Sequence, residues 1–529
     1  MMSRDARVGS SSMAAPAQPL VLPDDEYNRT LVENIHPSNW VNPEPAGRYN
    51  IVVIGAGTAG LITAVVAAGL GAKVALVERH LMGGDCLNVG CVPSKAVIRA
   101  ANVWAQLRNA SGFGAQMGSG ASYDFGEAMA RMRQVRARIS RLDSAERYTS
   151  LGVDVYIGQG RFTGQDKAEV EGPAGNRTLS FVNAAVCTGA RASAPPVPGL
   201  EDAGYLTNET VFSLTKLPPR IAVIGAGPIG CELAQAFARF GSRVSLFEAM
   251  HGIMPNEDRD AAEIVQRVMA KDGVTLFCCG KDVRVERTPE GKRLLVESHG
   301  QRHEVIVDEI VVGTGRSPNV QGLGLETVGV EFDTTGVRVN ERLQSTNPRI
   351  YAAGDVCSRY KFTHAADAMA QILIQNALFP HPLGLGYART DSLTMPWCTY
   401  TTPEVAHVGL YEADAKKTGM EVETYTYHFN EIDRAILDGE EEGFARLHIQ
   451  KGTDRILGAT IVSAHAGDLI SEVSVAMNAR VGAKTIAATI HPYPTRAEII
   501  KKTVNLWRKA HFTPRTKAFL TRLFAWVRR

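Results

Sequence analysis

Cys86 and Cys91, separated by four residues in GGDCLNVGCVPSK (83–95), are the side chains of this sequence best placed to do chemistry. Only eight cysteines occur in 529 residues. Zinc is a poor account of the pair, because no second Cys or His pair stands near it at ligand spacing. A structural disulfide gains little from closing so short a loop, and the chain otherwise reads as cytosolic, where thiols stay reduced unless they are catalytic. The third account, a redox pair that opens and closes, is the one the flanking sequence favours. Val-Pro-Ser-Lys follows Cys91 and leads into AVIRAANVWAQL, which predicts a helix with its N-terminus close to Cys91. Partial positive charge at a helix N-terminus lowers a thiol pKa, which a working thiolate needs.

Two further constellations must sit near such a pair. NIVVIGAG predicts a buried strand ending in glycines, TAGLITAVVAAGLG a small-residue helix, and AKVALVE a second strand closing on Glu78. The unit recurs at an offset of 170 residues, where IAVIGAGPIG (221–230) repeats IVVIGAGTAG (51–60). Gly55, Gly57, Gly60 and Glu78 thus correspond to Gly225, Gly227, Gly230 and Glu248. One such glycine pattern is weak, since tight turns are common. Two copies, each following a strand, opening a helix and meeting an acid 23 residues after the first glycine, are strong. The glycines let backbone amides approach a pyrophosphate at a helix N-terminus, and the carboxylate accepts from a ribose diol. Two nucleotide sites and a dithiol imply an electron path from nicotinamide to flavin to disulfide, with FAD at the first site and the pyridine nucleotide at the second.

Length predicts two to four domains. Hydrophobic residues at 45% and charged residues at 21% are an ordinary soluble balance, and a net charge of +2 gives no reason to expect nucleic acid. MMSRDARVGSSSMAAPAQPL has no apolar core, so it is not read as a secretory signal, and no run is apolar for long enough to span a bilayer. Residues 1–47 are expected to be an extension, disordered at first and then draped over a domain through Trp40 and Pro43, with ordered structure starting at Tyr49. A cytoplasmic location follows as an expectation.

These motifs resemble the pyridine nucleotide–disulfide oxidoreductases, which include dihydrolipoamide dehydrogenase, glutathione reductase and mercuric reductase. The resemblance covers roughly residues 48–510. CLNVGCVPSK is similar to the family's active-site segment nearly residue for residue. Cys187-Thr188-Gly189 stands where the family has Ala-Thr-Gly, and GTGRSPN (313–319), with Gly315, resembles a second such turn. YAAGDV (351–356) resembles the segment whose aspartate, here Asp355, holds the ribityl chain of FAD. PWCTYTTPEVAHVG (396–409) resembles the start of the dimerisation domain.

The resemblance implies an α/β fold with two Rossmann-like dinucleotide-binding domains and a C-terminal α+β dimerisation domain in a homodimer. The FAD domain would span 48–205 and 318–388, the NAD(P)H domain 206–317, the interface domain 389–505 and a basic amphipathic tail 506–529. By the same resemblance Cys86 is the interchange thiol that meets substrate. Cys91 lies against the flavin, and Lys95 lies by flavin N5, paired with Glu232. No resident metal is expected.

The departures carry the substrate question. Disulfide-reducing members have His-Pro-Thr-x-x-Glu, whose histidine is the acid–base for the dithiol. Here HPYPTRAE (491–498) puts Tyr493 in the histidine's place ahead of Glu498, with His491 two residues too early. Mercuric reductases similarly carry tyrosine there, and AQAFARFGSRV and Arg434-Ala435 are also closer to theirs. Yet AFLTRLFAWVRR ends the chain without a cysteine pair, and no cysteine precedes Cys86. Cys278-Cys279, in VTLFCCG, reads as strand in the nucleotide domain and as a small hydrophobe rather than a metal trap. Glu248 favours NADH over NADPH, unless Arg243 or His251 rescues a 2′-phosphate.

The expected enzyme therefore passes reducing equivalents from NADH through FAD to a soft electrophile, a small molecule or metal ion, with mercuric ion leading. A dihydrolipoamide-dehydrogenase-like disulfide reductase is the runner-up. A membrane-associated FAD-binding adaptor is the rival from another class. Residues 501–529 hold nine Lys or Arg and no acid, and Phe519, Leu520, Leu523, Phe524 and Val527 share one helical face.

Overall fold

The computed structural model describes residues 21–115, 118, 122–172 and 175–529. The disordered opening expected of the N-terminal extension lies outside these residues up to position 20. The chain divides into two compact units. Unit one comprises residues up to Asn88, Arg133–Arg191 and Ser317–Thr390; unit two comprises Val89–Met132, Ala192–Arg316 and Asp391–Arg529.

Unit one is built on a parallel sheet in which Arg48–Ile54 is flanked by Val74–Glu78 and Gly175–Val186. Val153–Ile157 extends one side and Ile350–Ala352 pairs with Gly175–Val186, both parallel. Such strands are apolar throughout because both faces are covered. Ile51, Val52 and Val53 are indeed fully buried. The helices Thr58–Gly69 and Thr363–Leu378 pack together, and the first buries the small residues Ala59, Gly60 and Ala64. Lys167–Gly172 and Gln159–Gly164 continue the sheet antiparallel, over a core containing Phe162 and Phe181.

Order begins earlier than Tyr49, which corrects the expectation. Glu26–Ile35 is a helix whose N-cap Asp25 accepts from the amide of Asn28 at 2.8 Å. Leu31 and Ile35, four apart, are fully buried. Trp40 then donates to the Val155 carbonyl at 3.2 Å, and Asn42 bonds Ile157 at 2.8 and 3.0 Å. The extension is thus draped through Trp40, as expected, with Asn42 as the stronger tie.

Unit two holds a second parallel sheet, in the order Val274–Phe277, Arg243–Phe247, Arg220–Ile224 and Glu309–Val312. A three-stranded antiparallel sheet, Lys281–Thr288, Gly291–Ser298 and Gln301–Val307, accompanies it. The helix Cys91–Arg108 packs against Pro228–Phe240, which is buried nearly all round. A five-stranded antiparallel sheet runs from Pro396–Thr399 to Val422–His428, covered by Ala466–Asn478 and Glu498–Ala510. Glu498–Ala510 buries Ile499, Ile500, Val504 and Trp507. A separate helix, Pro514–Val527, capped by Thr513, buries none of its residues. Among the described residues no helix is long and apolar enough to cross a membrane.

Candidate functional site

The two glycine turns repeat each other atom for atom. Gly55 N donates to the Val77 carbonyl and Gly225 N to the Phe247 carbonyl, both at 2.8 Å. Both first glycines are left-handed, at φ 103° and 99°. A Cβ on Gly55 would sit 2.5 Å from the Cys187 carbonyl oxygen, and one on Gly225 would sit 2.8 Å from that of Gly313. Gly60 and Gly230 press on the same turns, since a Cβ there would lie 1.8 and 1.9 Å from the carbonyl oxygens of Gly55 and Gly225. Only glycine fits these four positions.

The acids behave alike as well. Glu78 accepts from the amides of Ala56 (2.7 Å) and His80 (2.8 Å), and Glu248 from those of Ala226 (2.8 Å) and Met250 (3.0 Å). Each carboxylate is thereby fixed at the mouth of its turn with lone pairs left for a ribose diol. Burial pushes the Glu78 carboxyl up, and the backbone amides pull against it. Gly57 and Gly227 are extended N-caps without a capping side chain. The first helical amides therefore face an incoming ligand with their partial positive charge uncompensated. Residues of both turns fit a dinucleotide pyrophosphate.

What covers the middle glycine differs. A Cβ on Gly84 would lie 2.6 Å from the Gly57 α-carbon, so the short helix Gly84–Asn88, which carries Cys86, starts on top of the first turn. Gly83 N, at φ 90°, donates to the Ala56 carbonyl at 2.8 Å and fixes that approach. Within unit one the loop of Asp355 also arrives here. A Cβ on Gly354 would meet Ala59 at 3.2 Å and Ala366 at 3.5 Å, which places Asp355 where the helices Thr58–Gly69 and Thr363–Leu378 begin. The second of these also lacks a capping side chain. Thr188 and Gly189 are held by Asn319: the Thr188 hydroxyl donates to its carbonyl at 2.7 Å, and its amide donates to the Gly189 carbonyl at 3.0 Å. In unit two Gly313, the first residue of GTGRSPN, takes the place of Cys187, and Gly315, φ 146°, takes that of Gly189.

Cys86 is half-buried, and Cys91 is exposed as the first residue of Cys91–Arg108, where the sequence predicted a helix N-terminus. One turn on, Lys95 meets Glu232 at 2.7 Å. The other oxygen of Glu232 accepts from the Tyr400 amide at 2.8 Å, and the Lys95 ammonium lies 4.6 Å from the Tyr400 ring centroid. Tyr400 escaped the sequence reading, although PWCTYTTPE contains it. Burial, before any neighbouring charge, pushes its phenol up to about 12. Burial likewise pushes the Cys187 thiol up to about 12 and raises Cys231, Cys357 and Cys398. Those four are thereby kept from acting as nucleophiles.

Tyr493 is 70% exposed and precedes a cis bond to Pro494. Its hydroxyl donates to Asp433 at 2.8 Å, a partner 60 residues away that no local pattern announced. That bond raises the phenol further above its usual 10. Glu498 opens its helix with Oε2 buried and without a hydrogen-bond partner. Two residues earlier, Arg496 turns to Asp438 at 2.7 Å and to Glu440. His491 is engaged by Glu472 at 2.9 Å. Arg243 opens its strand opposite Arg220, about 13 Å of strand from the Glu248 end, and is no rescuer of a 2′-phosphate. Cys278 and Cys279 lie beyond the strand end at Phe277 rather than on it.

Comparison with known proteins agrees with this geometry. Residues 49–370 match the family described as pyridine nucleotide-disulphide oxidoreductase, and 395–504 match its dimerisation domain, which points to a homodimer. A mercuric reductase of Staphylococcus aureus is 32% identical over 89% of this chain and 84% of its own length. A dihydrolipoyl dehydrogenase of Bacillus subtilis is also 32% identical, over 86% and 97%. LpdA from Mycobacterium tuberculosis superposes with a TM-score of 0.77 at 26% identity, covering 86% of this chain and 99% of LpdA. The HOCl-induced flavoprotein disulfide reductase RclA from Escherichia coli, solved as a Cu(II) complex, gives 0.75 at 27%, covering 87% and 99%.

Proposed function

The chain belongs to the pyridine nucleotide-disulphide oxidoreductases, FAD-dependent enzymes that use a pyridine nucleotide, and on that premise we propose that it reduces a soft electrophile, mercuric ion first, at the expense of NADH. FAD, when bound, supplies the two-electron relay between the nicotinamide and the dithiol. Gly55, Gly57, Gly60, Glu78, Thr188, Gly189 and Asp355 hold it. Gly225, Gly227, Gly230, Glu248 and Gly315 hold the nucleotide. Glu232 and Tyr400 fix the Lys95 ammonium one helical turn from Cys91. Cys86 receives the acceptor. In the net reaction NADH and Hg(II) give NAD⁺, a proton and elemental mercury.

The observation that carries this reading is the Tyr493–Asp433 bond. Dithiol–disulfide exchange needs a group that takes and returns a proton near neutral pH. A phenol raised above 10 by Asp433 can donate a hydrogen bond but does not act as that base. A metal ion held between thiolates needs no such base. The runner-up, a dihydrolipoamide-dehydrogenase-like activity, is supported by the equally similar Bacillus subtilis relative. Turnover with NADH and mercuric ion, set against NAD⁺-dependent oxidation of dihydrolipoamide, separates the two. We expect mercuric ion to be the faster substrate, and Tyr493→His to raise the dihydrolipoamide rate. Dihydrolipoamide oxidation well above that on every metal or quinone acceptor overturns the reading.

A further inference from the structure

A second group of thiols lies past the C-terminal ends of the strands Arg243–Phe247 and Val274–Phe277 of the nucleotide fold. His251, Cys278 and Cys279 present ligand atoms that all lie within 4.8 Å of one another. Cys279 Sγ is 3.6 Å from His251 Nδ1, and Cys278 Sγ is 3.3 Å from His299 Nε2. Three separate segments converge here. His251 follows the strand Arg243–Phe247, the cysteines follow Val274–Phe277, and His299 turns the hairpin after Gly291–Ser298.

We propose that His251, Cys278 and Cys279, with water as the fourth ligand, form a binding site for a thiophilic d¹⁰ cation of the zinc, cadmium or mercuric class. A tetrahedral ion with metal–sulfur bonds of about 2.3 Å and metal–nitrogen bonds of about 2.0–2.1 Å sets its S···N edges near 3.5 Å. The Cys279–His251 separation of 3.6 Å matches that edge. Two thiolates and an imidazole form a donor set that soft and borderline ions prefer over magnesium or calcium. The backbone carries a second sign. Cys279 and His299 are left-handed at φ 55° and 51°, a conformation that disfavours non-glycine residues and recurs at ligand sites.

The turn is also braced from outside the ligands. Cys279 N donates to the Met250 carbonyl at 3.0 Å, and Gly280 N to the Glu248 carbonyl at 2.9 Å. The Ser298 hydroxyl donates to the Cys278 carbonyl at 2.6 Å. The site therefore shares its backbone with the acid that faces the coenzyme ribose. On binding, two S–H bonds break, two metal–sulfur bonds form and two protons pass to solvent, with nothing oxidised or reduced. Uptake therefore strengthens as pH rises.

The test uses the full FAD-loaded chain carrying Cys86→Ser and Cys91→Ser, so that the redox dithiol cannot bind the probe. Cd²⁺ is titrated and followed by the ultraviolet thiolate-to-cadmium band and by equilibrium dialysis. We expect one Cd²⁺ per chain, displaced by Zn²⁺. Adding Cys278→Ser and Cys279→Ser should abolish binding, and His251→Ala should weaken it at least tenfold. His465→Ala, at a distant exposed histidine, should leave it unchanged. Retained flavin absorbance reports that each variant is folded. Should the double cysteine variant fail to fold, the single changes Cys279→Ser and His251→Ala at the accessible rim decide. No Cd²⁺ uptake by the starting chain, or uptake undiminished in the Cys279→Ser and His251→Ala variants, overturns the proposal.

Discussion

Removing Lys95 should harm the fold more than removing Glu232, although the two form one ion pair. Burial is lopsided across the pair: the Lys95 side chain keeps 35% of its exposure and Glu232 only 6%. Lys95→Met preserves most of the aliphatic stem but leaves a buried carboxylate with a single remaining partner, the Tyr400 amide. Breaking a buried pair in this way costs about 3–5 kcal/mol, and water reaching the half-open lysine side puts the expected loss near about 3 kcal/mol. Glu232→Leu instead lets the lysine rehydrate and strands the Tyr400 amide, a loss of about 1–3 kcal/mol. With both changes no charge is buried, and only the stranded amide remains. The double variant should therefore be more stable than Lys95→Met by about 1 kcal/mol, with coupling of about 2–3 kcal/mol in the cycle. Urea unfolding followed by tryptophan fluorescence reads this directly. Trp104, Trp397, Trp507 and Trp526 lie in unit two with the pair, against Trp40 alone in unit one. A double variant no more stable than Lys95→Met would refute the reasoning, because it would mean that Glu232 is not electrostatically stranded.

Two other expectations rest on separate parts of the chain. Glu248 beside a 2′-phosphate brings two anions together at about 1–3 kcal/mol, so NADPH should bind roughly ten- to a hundred-fold more weakly than NADH. Fluorescence titration of both reduced nucleotides, repeated with Glu248→Ala, should show the gap and then its narrowing; equal affinities for the unmodified chain would discard the reading of Glu248. His407 is fully buried, bonded to Thr460 at 2.9 Å, and burial lowers its pKa from 6.5 to about 3. Its folded value lies below its unfolded one, so its contribution is whole above pH 6.5 and is lost as pH falls from there towards 3. Stability should decline across that window with a slope of up to about 1.4 kcal/mol per pH unit from this residue, and His407→Gln should flatten it. A slope unchanged by the substitution would remove His407 from the account.

Much of the fold was legible because its signals are local. A glycine turn, the strand before it and the acid after it lie within about thirty residues, the span of a βαβ unit. The repetition at an offset of 170 residues doubled that signal. The helix at Cys91 was legible for the same reason. What was missed depends on partners far apart in sequence. Asp433 meets Tyr493 across 60 residues, and Tyr400 meets Glu232 across 168. Neither partner carries a motif, so only the folded chain pairs them. Cys278-Cys279 reads as strand in the sequence because VTLF before it is strand; the left-handed Cys279 that ends the pattern has no sequence signature outside glycine. Glu26–Ile35 was passed over for a different reason. Its apolar face is only Leu31, Val32 and Ile35, interrupted by polar residues, and the Asp25 cap that precedes it carries no distinctive motif.

The single difference between the two nucleotide turns bears on the order of the electron path. Their hydrogen bonds match within a few tenths of an ångström, so backbone recognition of a pyrophosphate does not distinguish them. Cover does. Gly84 lies on Gly57, and the Asp355 loop brings a second uncapped helix end to the same place, whereas a Cβ at Gly227 would meet nothing within 4 Å among the described residues. A turn roofed by its own chain suits a group that binds once and stays, because the roof must open for exchange. An open turn suits a co-substrate that must leave after each cycle. The roof over the first turn is the segment that carries Cys86, so a resident group there lies beside the helix of that cysteine. That arrangement supports FAD at the first turn and NADH at the second. The alternative assignment would require a co-substrate to displace Gly84–Asn88 at every turnover.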